Sequence, residues 1–285
     1  MLRFKIASTA IFIFALSIIS TTAVQADYQN QVRFSKSETE QNDSVNTTSK
    51  TDFVGYSYFL DKVVTDKGPW AEAPFINRNA KININAFSHK TSTTKTKSLA
   101  ISGTYSKSNS PLVISAHFRD SESDFSRSRT SDTTGYGIDL GYYVTKYTLI
   151  SIERDKSKTE YSFLPETNNY DSTGTALSAT TLILQGDTAI SLSGSYTKTE
   201  HSDGDEFKHV LLTGTYYVNP RLGIGGLYVK SSDNFGLNNG KRVGITAQYF
   251  IKPTFSINST ISKYDSDDNQ IRDYETISIG GTAYF

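Results

Sequence analysis

The sequence predicts an all-β fold, an antiparallel up-and-down transmembrane β-barrel of about fourteen strands, within a range of roughly 12–16. Three observations predict it. Apolar and polar residues alternate along short segments through the whole chain, and the last segment runs to the terminal residue, with Ile277, Ile279, Gly281, Ala283 and Phe285 on one face. Period-two alternation is the mark of a strand with one apolar face. The chain starts with a pattern for export. The connections between the alternating segments are alternately short and long.

The export pattern comes first. Arg3 and Lys5 precede an apolar run over 6–19, and Val24-Gln25-Ala26 reads as a small-residue cleavage site. This is a secretory signal peptide, residues 1–26, leaving a mature chain of residues 27–285. The run is short for an uncleaved span of about 20 residues, and no later stretch is long enough for a transmembrane helix. Residues 1–26 carry two basic groups and no acid, so 29 basic against 29 acidic side chains become 27 against 29, a net charge of −2. That argues against a nucleic-acid partner, which needs a basic surface. With no cysteine there is no disulfide framework, and backbone pairing and packing must hold the fold.

The strand candidates follow in order. Segments 31–35 and 53–60 alternate weakly; Ala80, Ile82, Ile84 and Ala86 alternate cleanly; 98–106 is weak again. Leu112, Ile114, Ala116 and Phe118 form the next apolar row, and Tyr136, Ile138, Leu140, Tyr142 and Val144 the one after. Segments 148–154 and 175–184 are weaker. Ile190, Leu192, Gly194 and Tyr196 are clean, as are Val210, Leu212, Gly214, Tyr216 and Val218, with 222–230 weaker. Val243, Ile245, Ala247, Tyr249 and Ile251, then Phe255, Ile257, Ser259 and Ile261, precede the terminal segment. Single-chain barrels of this type need an even strand number, which these segments supply. Abundant Tyr, Phe, Thr and Ser favour strands over helices. About 18 residues per strand and connection suits strands of ~9–11 residues that cross a bilayer.

Tight turns fall at 145–147, 185–187, 219–221 and Lys252-Pro253, and longer polar stretches at 38–50, 120–134, 155–173, 231–240 and 264–273. Both chain ends then lie on the short-turn side. Pro111, Pro220 and Pro253 sit at strand starts, and none interrupts a strand, where it would remove a ladder hydrogen bond. A triplet recurs ahead of the short turns: Tyr58-Phe59-Leu60, Tyr142-Tyr143-Val144, Tyr216-Tyr217-Val218, Tyr249-Phe250-Ile251 and Ala283-Tyr284-Phe285. Such repetition marks a repeated hairpin. Its rings suit an aromatic girdle at a water–lipid boundary, made by Tyr58, Tyr142, Tyr216, Tyr249 and Phe285. Cross-strand aromatic packing in a soluble sheet is the other reading.

The second register of each segment is polar, as in Asn83 and Asn85, Ser191, Ser193 and Ser195, Thr213 and Thr215, or Asn258 and Thr260. In a barrel this face lines the lumen. Arg33, Lys81, His117, Arg119, Asp139, Glu153 and Arg242 fall in it and are the candidate pore-lining residues, because rings or opposed clusters of charge set ion preference. The other reading is that each satisfies a neighbour inside a filled barrel. No cofactor or metal site is expected: His89, His117, His201 and His209 lack ligand spacing, and no glycine-rich phosphate loop follows a strand. Ser115 and His117 share a face without an orienting motif, so the chain is not read as an enzyme.

One stretch carries a resemblance. Gly55-Tyr56-Ser57-Tyr58-Phe59-Leu60-Asp61-Lys62-Val63 leads into Lys67-Gly68-Pro69-Trp70-Ala71-Glu72-Ala73-Pro74-Phe75-Ile76-Asn77-Arg78. This resembles the early signature of the general bacterial porin family: a Tyr/Phe-rich strand, a Gly-Pro turn, a Glu-Ala pair and an apolar-Asn-Arg run, with Pro74 a departure. The resemblance implies a channel for ions or small hydrophilic solutes in the outer membrane of a Gram-negative bacterium. Both termini would be periplasmic, outer-membrane lipid would surround the barrel, and a final strand ending on Phe285 would engage the barrel-assembly machinery. General porins are often trimers, so a homo-oligomer is an allowed state. The resemblance carries over no catalytic or ligand residue. Two alternatives stay open: a non-conducting barrel that anchors or adheres through its surface loops, and a secreted β-sandwich. The segment 61–78 is too long for a tight turn and holds the sole tryptophan, Trp70. It is expected at the periplasmic rim or partly inside the mouth of the barrel.

Overall fold

A computed structural model describes residues 27–41, 48–66, 68–125, 129–163, 166–234, 239–267 and 273–285. The signal peptide expected over 1–26 lies outside the described residues. The strands are β1 (Tyr28–Gln41), β2 (Thr48–Val63), β3 (Lys81–Lys90), β4 (Thr94–Ser106), β5 (Leu112–Phe125), β6 (Arg129–Thr145) and β7 (Thr148–Phe163). They continue with β8 (Glu166–Gln185), β9 (Thr188–His201), β10 (Glu206–Asn219), β11 (Leu222–Asp233), β12 (Gly240–Lys252), β13 (Phe255–Ser266) and β14 (Tyr274–Tyr284). Each pairs antiparallel with its sequence neighbours, and β14 pairs with β1, so the sheet closes as a fourteen-stranded barrel. Closure leaves no edge strand to template aggregation. At the seam, Gln29 N and Asn30 N donate to the carbonyl of Phe285 at 3.2 and 2.8 Å, and Phe285 N donates to Asn30 O at 3.0 Å. The terminal residue thus completes the ladder.

The alternation sorts side chains as a membrane barrel requires. Ile82 and Ile84, Leu112 to Phe118 by twos, Tyr136 to Val144 by twos, and Ile245, Ile261 and Ile279 are exposed on the outer surface. Their alternates face inward. Lipid satisfies an exposed apolar row that water would penalise.

The long polar stretches are a correction. The reading of 120–134 and 155–173 as loops does not hold: β5 runs to Phe125, β6 starts at Arg129, and β7 and β8 stay paired as far as Phe163 and Glu166. Beyond the lipid both faces of a strand meet water, so the apolar alternation stops while the backbone ladder continues. β8 is 20 residues long, about twice the ~9–11 that cross the bilayer. The hairpins therefore overhang the membrane band on the side away from the termini. The longest connection lies instead on the termini side, between β2 and β3. It contains a short 3-10 turn, Trp70–Glu72, and one helix, α1 (Ala73–Asn77). Pro74 stands in the first turn of α1, where its missing N–H costs nothing.

Candidate functional site

Inside the barrel, small residues make room for long ones. On the inner face β6 carries Gly135 and Gly137 before Asp139. His117 of β5 leans across Gly137 so closely that a Cβ there would clash with its ring. Its Nδ1 lies 3.7 Å from Glu153 Oε1 on β7, two strands away. Arg119 Nη2 would lie 3.7 Å from a Cβ at Gly135, an ordinary contact, while the carboxylate of Asp155 fills the space at Gly174 of β8. On the other wall Arg33 of β1 reaches past Gly55 of β2, and its Nη2 donates to Asn85 Oδ1 of β3 at 3.2 Å. The guanidinium also lies 5.8 Å over the Phe53 ring.

All seven candidate pore-lining residues fall on the inner face, but they are not gathered into one ring. Asp139 and Glu153 are directly opposite in the β6–β7 register, and Asp155 is the next inward residue on β7. They form an acidic wall with His117 across it. Asp139 Oδ1 is buried without a hydrogen-bond partner among the described residues. Arg33 and Lys81 sit on β1 and β3 towards the termini side, and Arg119 stands above His117 on β5. Arg242 is at the far end of β12, where its Nη2 donates to Tyr274 Oη at 2.5 Å beside a stacked Tyr264–Tyr274 pair. Asp155 was missed because its stretch was read as a loop. It keeps the alternation phase of Glu153, which could have found it.

The candidate girdle residues Tyr58, Tyr142, Tyr216 and Tyr249 are exposed on the outer face, while Phe285 is half-buried at the seam. The middle member of each triplet points the other way. Phe59, Tyr143, Tyr217, Phe250 and Tyr284 face inward and are 1–7% exposed. The triplet therefore presents one ring to lipid and one to the lumen. Sequence reasoning missed the inner set, although strict alternation demands it.

What the inner rings bury is the β2–β3 connection. Tyr28, Phe59, Val63, Phe250 and Tyr284 pack with Ala73, against which Trp70 and Ala71 also lie. A second cluster joins Ile76 of α1 to Leu182, Ala189 and Tyr217 of β8, β9 and β10. The Trp70 and Phe250 rings meet edge-on at 5.5 Å. Polar ties hold both sides. Tyr217 Oη donates to Glu72 Oε1 at 2.8 Å, Trp70 N donates to Pro220 O at 3.1 Å, and Arg221 lies 5.2 Å over the Trp70 ring. Opposite, Arg78 donates to Ser110 O and Lys146 O at 3.2 and 3.1 Å and stacks 3.9 Å over Tyr143. Arg78 caps α1 at φ 53°, a left-handed conformation that costs a non-glycine residue roughly 1–2 kcal/mol. The segment thus spans the mouth from the β4–β5 and β6–β7 turns to the β10–β11 turn, as a stopper.

No curated protein matches the chain. Among solved structures, the outer membrane protein Omp33 of Acinetobacter baumannii is similar at TM-score 0.64 and 16% identity, covering 91% of this chain and 99% of that one. The monoaromatic hydrocarbon channel CymD matches at TM-score 0.57 and 10% identity, over 99% and 94% of the two chains. The toluene transporter TodX of Pseudomonas putida matches at TM-score 0.51 and 10% identity, over 93% and 92%. At such identities these likenesses show the barrel fold. The sequence model of the general bacterial porin matches residues 5–278, nearly the whole length, and the chain belongs to that family.

Proposed function

We propose that the protein is a channel of the outer membrane through which ions or small hydrophilic solutes diffuse passively, its termini periplasmic and its overhanging hairpins outside. The observation that carries this reading is the inner wall. A closed ladder presents Ser, Thr and Asn on its inner face, with His117 leaning over Gly137 and Asp155 over Gly174, and with Arg119, Asp139 and Glu153 beside them on the same face. Charges kept flat against a wall by missing Cβ atoms suit a water-filled bore better than a packed core. The family is one of porins, which supports the same reading. No chemistry is assigned to any side chain, and the protein is read as a transport protein rather than an enzyme.

The stopper sets the condition for flow. Its contacts to the wall are two apolar clusters and polar ties at three turns, and solutes pass when these loosen. The test is single-channel current from the refolded mature chain in a planar bilayer, compared with Arg78→Ala. Discrete steps from the parent protein, longer or larger in the variant, are the expected result. The packing of the stopper favours a second reading, a barrel that does not conduct and serves as an anchor or adhesin through its hairpins. Silence from both folded proteins would establish that reading and overturn the first.

A further inference from the structure

On the lipid-facing side of β9–β13, the first outward residue beyond the apolar band at the hairpin end is basic on every strand: Lys198, Lys208, Lys230, Lys241 and Lys263. Three of these are engaged by protein carboxylates. Lys198 Nζ is 2.8 Å from Glu200 and 2.7 Å from Glu206, Lys208 is 2.7 Å from Glu206, and Lys263 is 2.8 Å from Asp265. Lys230 and Lys241 differ. They stand directly opposite each other in the β11–β12 register, both exposed. Neither forms an ion pair or side-chain hydrogen bond among the described residues. The acid opposite Lys241 on β13 is Asp265, which Lys263 already holds. Like charges directly opposite destabilise a ladder pair, unless an anion comes between them.

The surface just inside the band is shaped as well. On the same face, Tyr228 pairs with Leu212 and with Val243, and the next pair is Gly214 with Gly226. A Cβ built at Gly226 would come near nothing but Gly244 O, at 3.6 Å. The outer wall therefore has a shallow notch beneath the lysine pair, open to lipid.

We propose that this face binds a phosphorylated lipid of the surrounding leaflet. Its phosphate lies between Lys230 and Lys241, with Lys208 diagonal to them, and an acyl chain lies along Tyr228 and Val243 into the notch at Gly226. The phosphate neutralises two ammonium groups that form no ion pair among the described residues, Asp265 acting on Lys241 only from a distance. The orientation proposed above enters only in placing the lipid in the outer leaflet.

The test titrates the folded mature chain in detergent with diphosphorylated lipid A, with the same lipid stripped of phosphate, and with inorganic phosphate, reading the thermal midpoint of the barrel. Only the phosphorylated lipid should raise the midpoint saturably. Lys230→Gln with Lys241→Gln should weaken the apparent affinity by about tenfold or more, while Lys230→Arg with Lys241→Arg keeps it. Arg154→Gln with Lys156→Gln, on the outer face of β7, should change nothing. The proposal is overturned by no shift with the phosphorylated lipid, by an equal shift with the stripped lipid or with phosphate alone, or by full binding in the glutamine variant. The readout involves no current, so a silent channel would bear on the channel reading alone.

Discussion

At Gly137 the backbone carries no side chain because another residue occupies the place of one. The His117 ring lies too close to leave room for a Cβ and brings its Nδ1 to 3.7 Å from Glu153. Gly137→Ala should therefore destabilise the barrel by about 1–3 kcal/mol, the usual cost of overpacking, and should swing His117 away from Glu153. The check is a double-mutant cycle with His117→Ala on unfolding midpoints. In the double variant the alanine at 137 should cost less, only the tight approach to Asp155 Cβ remaining, and the two effects should fall short of adding. Additive losses would mean the ring does not depend on the glycine. The same logic separates the two rings of each triplet. Tyr216 faces lipid and makes no stopper contact, whereas Tyr217 donates to Glu72 at 2.8 Å from inside. Tyr217→Phe keeps the apolar burial and removes only that donor. It should cost about 1.5–3 kcal/mol, because the lost bond is to a carboxylate. Tyr216→Phe should be nearly silent in the same thermal assay.

Among elements, the stopper departs furthest from what alternation alone implies. Its helix α1 has five residues, too few to be stable in isolation. It is held by Ile76 against Leu182 and Tyr217, and by Ala73 against Phe59 and Phe250. Replacing 68–78 with a glycine–serine linker should leave the ladder able to close, since β2 and β3 pair from Phe59 and Lys81 onward without it. The barrel should then conduct in larger steps and unfold at a lower temperature, having exposed the inner rings. An unchanged step size would show that the constriction lies elsewhere. The strands themselves were legible in the sequence because lipid enforces alternation wherever they cross it. Each of the fourteen apolar segments falls within or at the edge of one strand. Where β5 to β8 leave the lipid, that constraint lapses, and paired strand could not be told from loop. The stopper was legible as an over-long connection with Trp70. Its partners were not, because contacts such as Trp70–Phe250 and Tyr217–Glu72 join residues distant in sequence and leave no local pattern.

For the whole molecule the open question is how the charges of the lumen sum. The sequence placed Arg33, Lys81, His117, Arg119, Asp139, Glu153 and Arg242 on one face of their strands, and closing the barrel distributes them by height and by wall. The acidic wall of Asp139, Glu153 and Asp155 belongs to β6 and β7, nearly opposite β14 and β1 in the strand order, where Arg33 begins the basic side. Arg119, like His117 on the same strand, stands next to the acidic wall, one strand from it. Arg242 is tied to Tyr274 at the hairpin end. A charge acts on a passing ion over roughly a Debye length, about 8 Å at physiological salt. Arg119 thus offsets the carboxylates where they are concentrated, while Arg242 acts only at the entrance. Arg119→Gln should move the reversal potential under a salt gradient towards cation preference more than Arg242→Gln does, and the double variant should move it furthest. Asp139→Asn with Glu153→Gln should move it the other way. The shifts should shrink as salt rises and screening shortens their reach. Equal shifts from the two arginines would place the selective region at the mouth. No shift from any of the four would show that current passes along a path these side chains do not line.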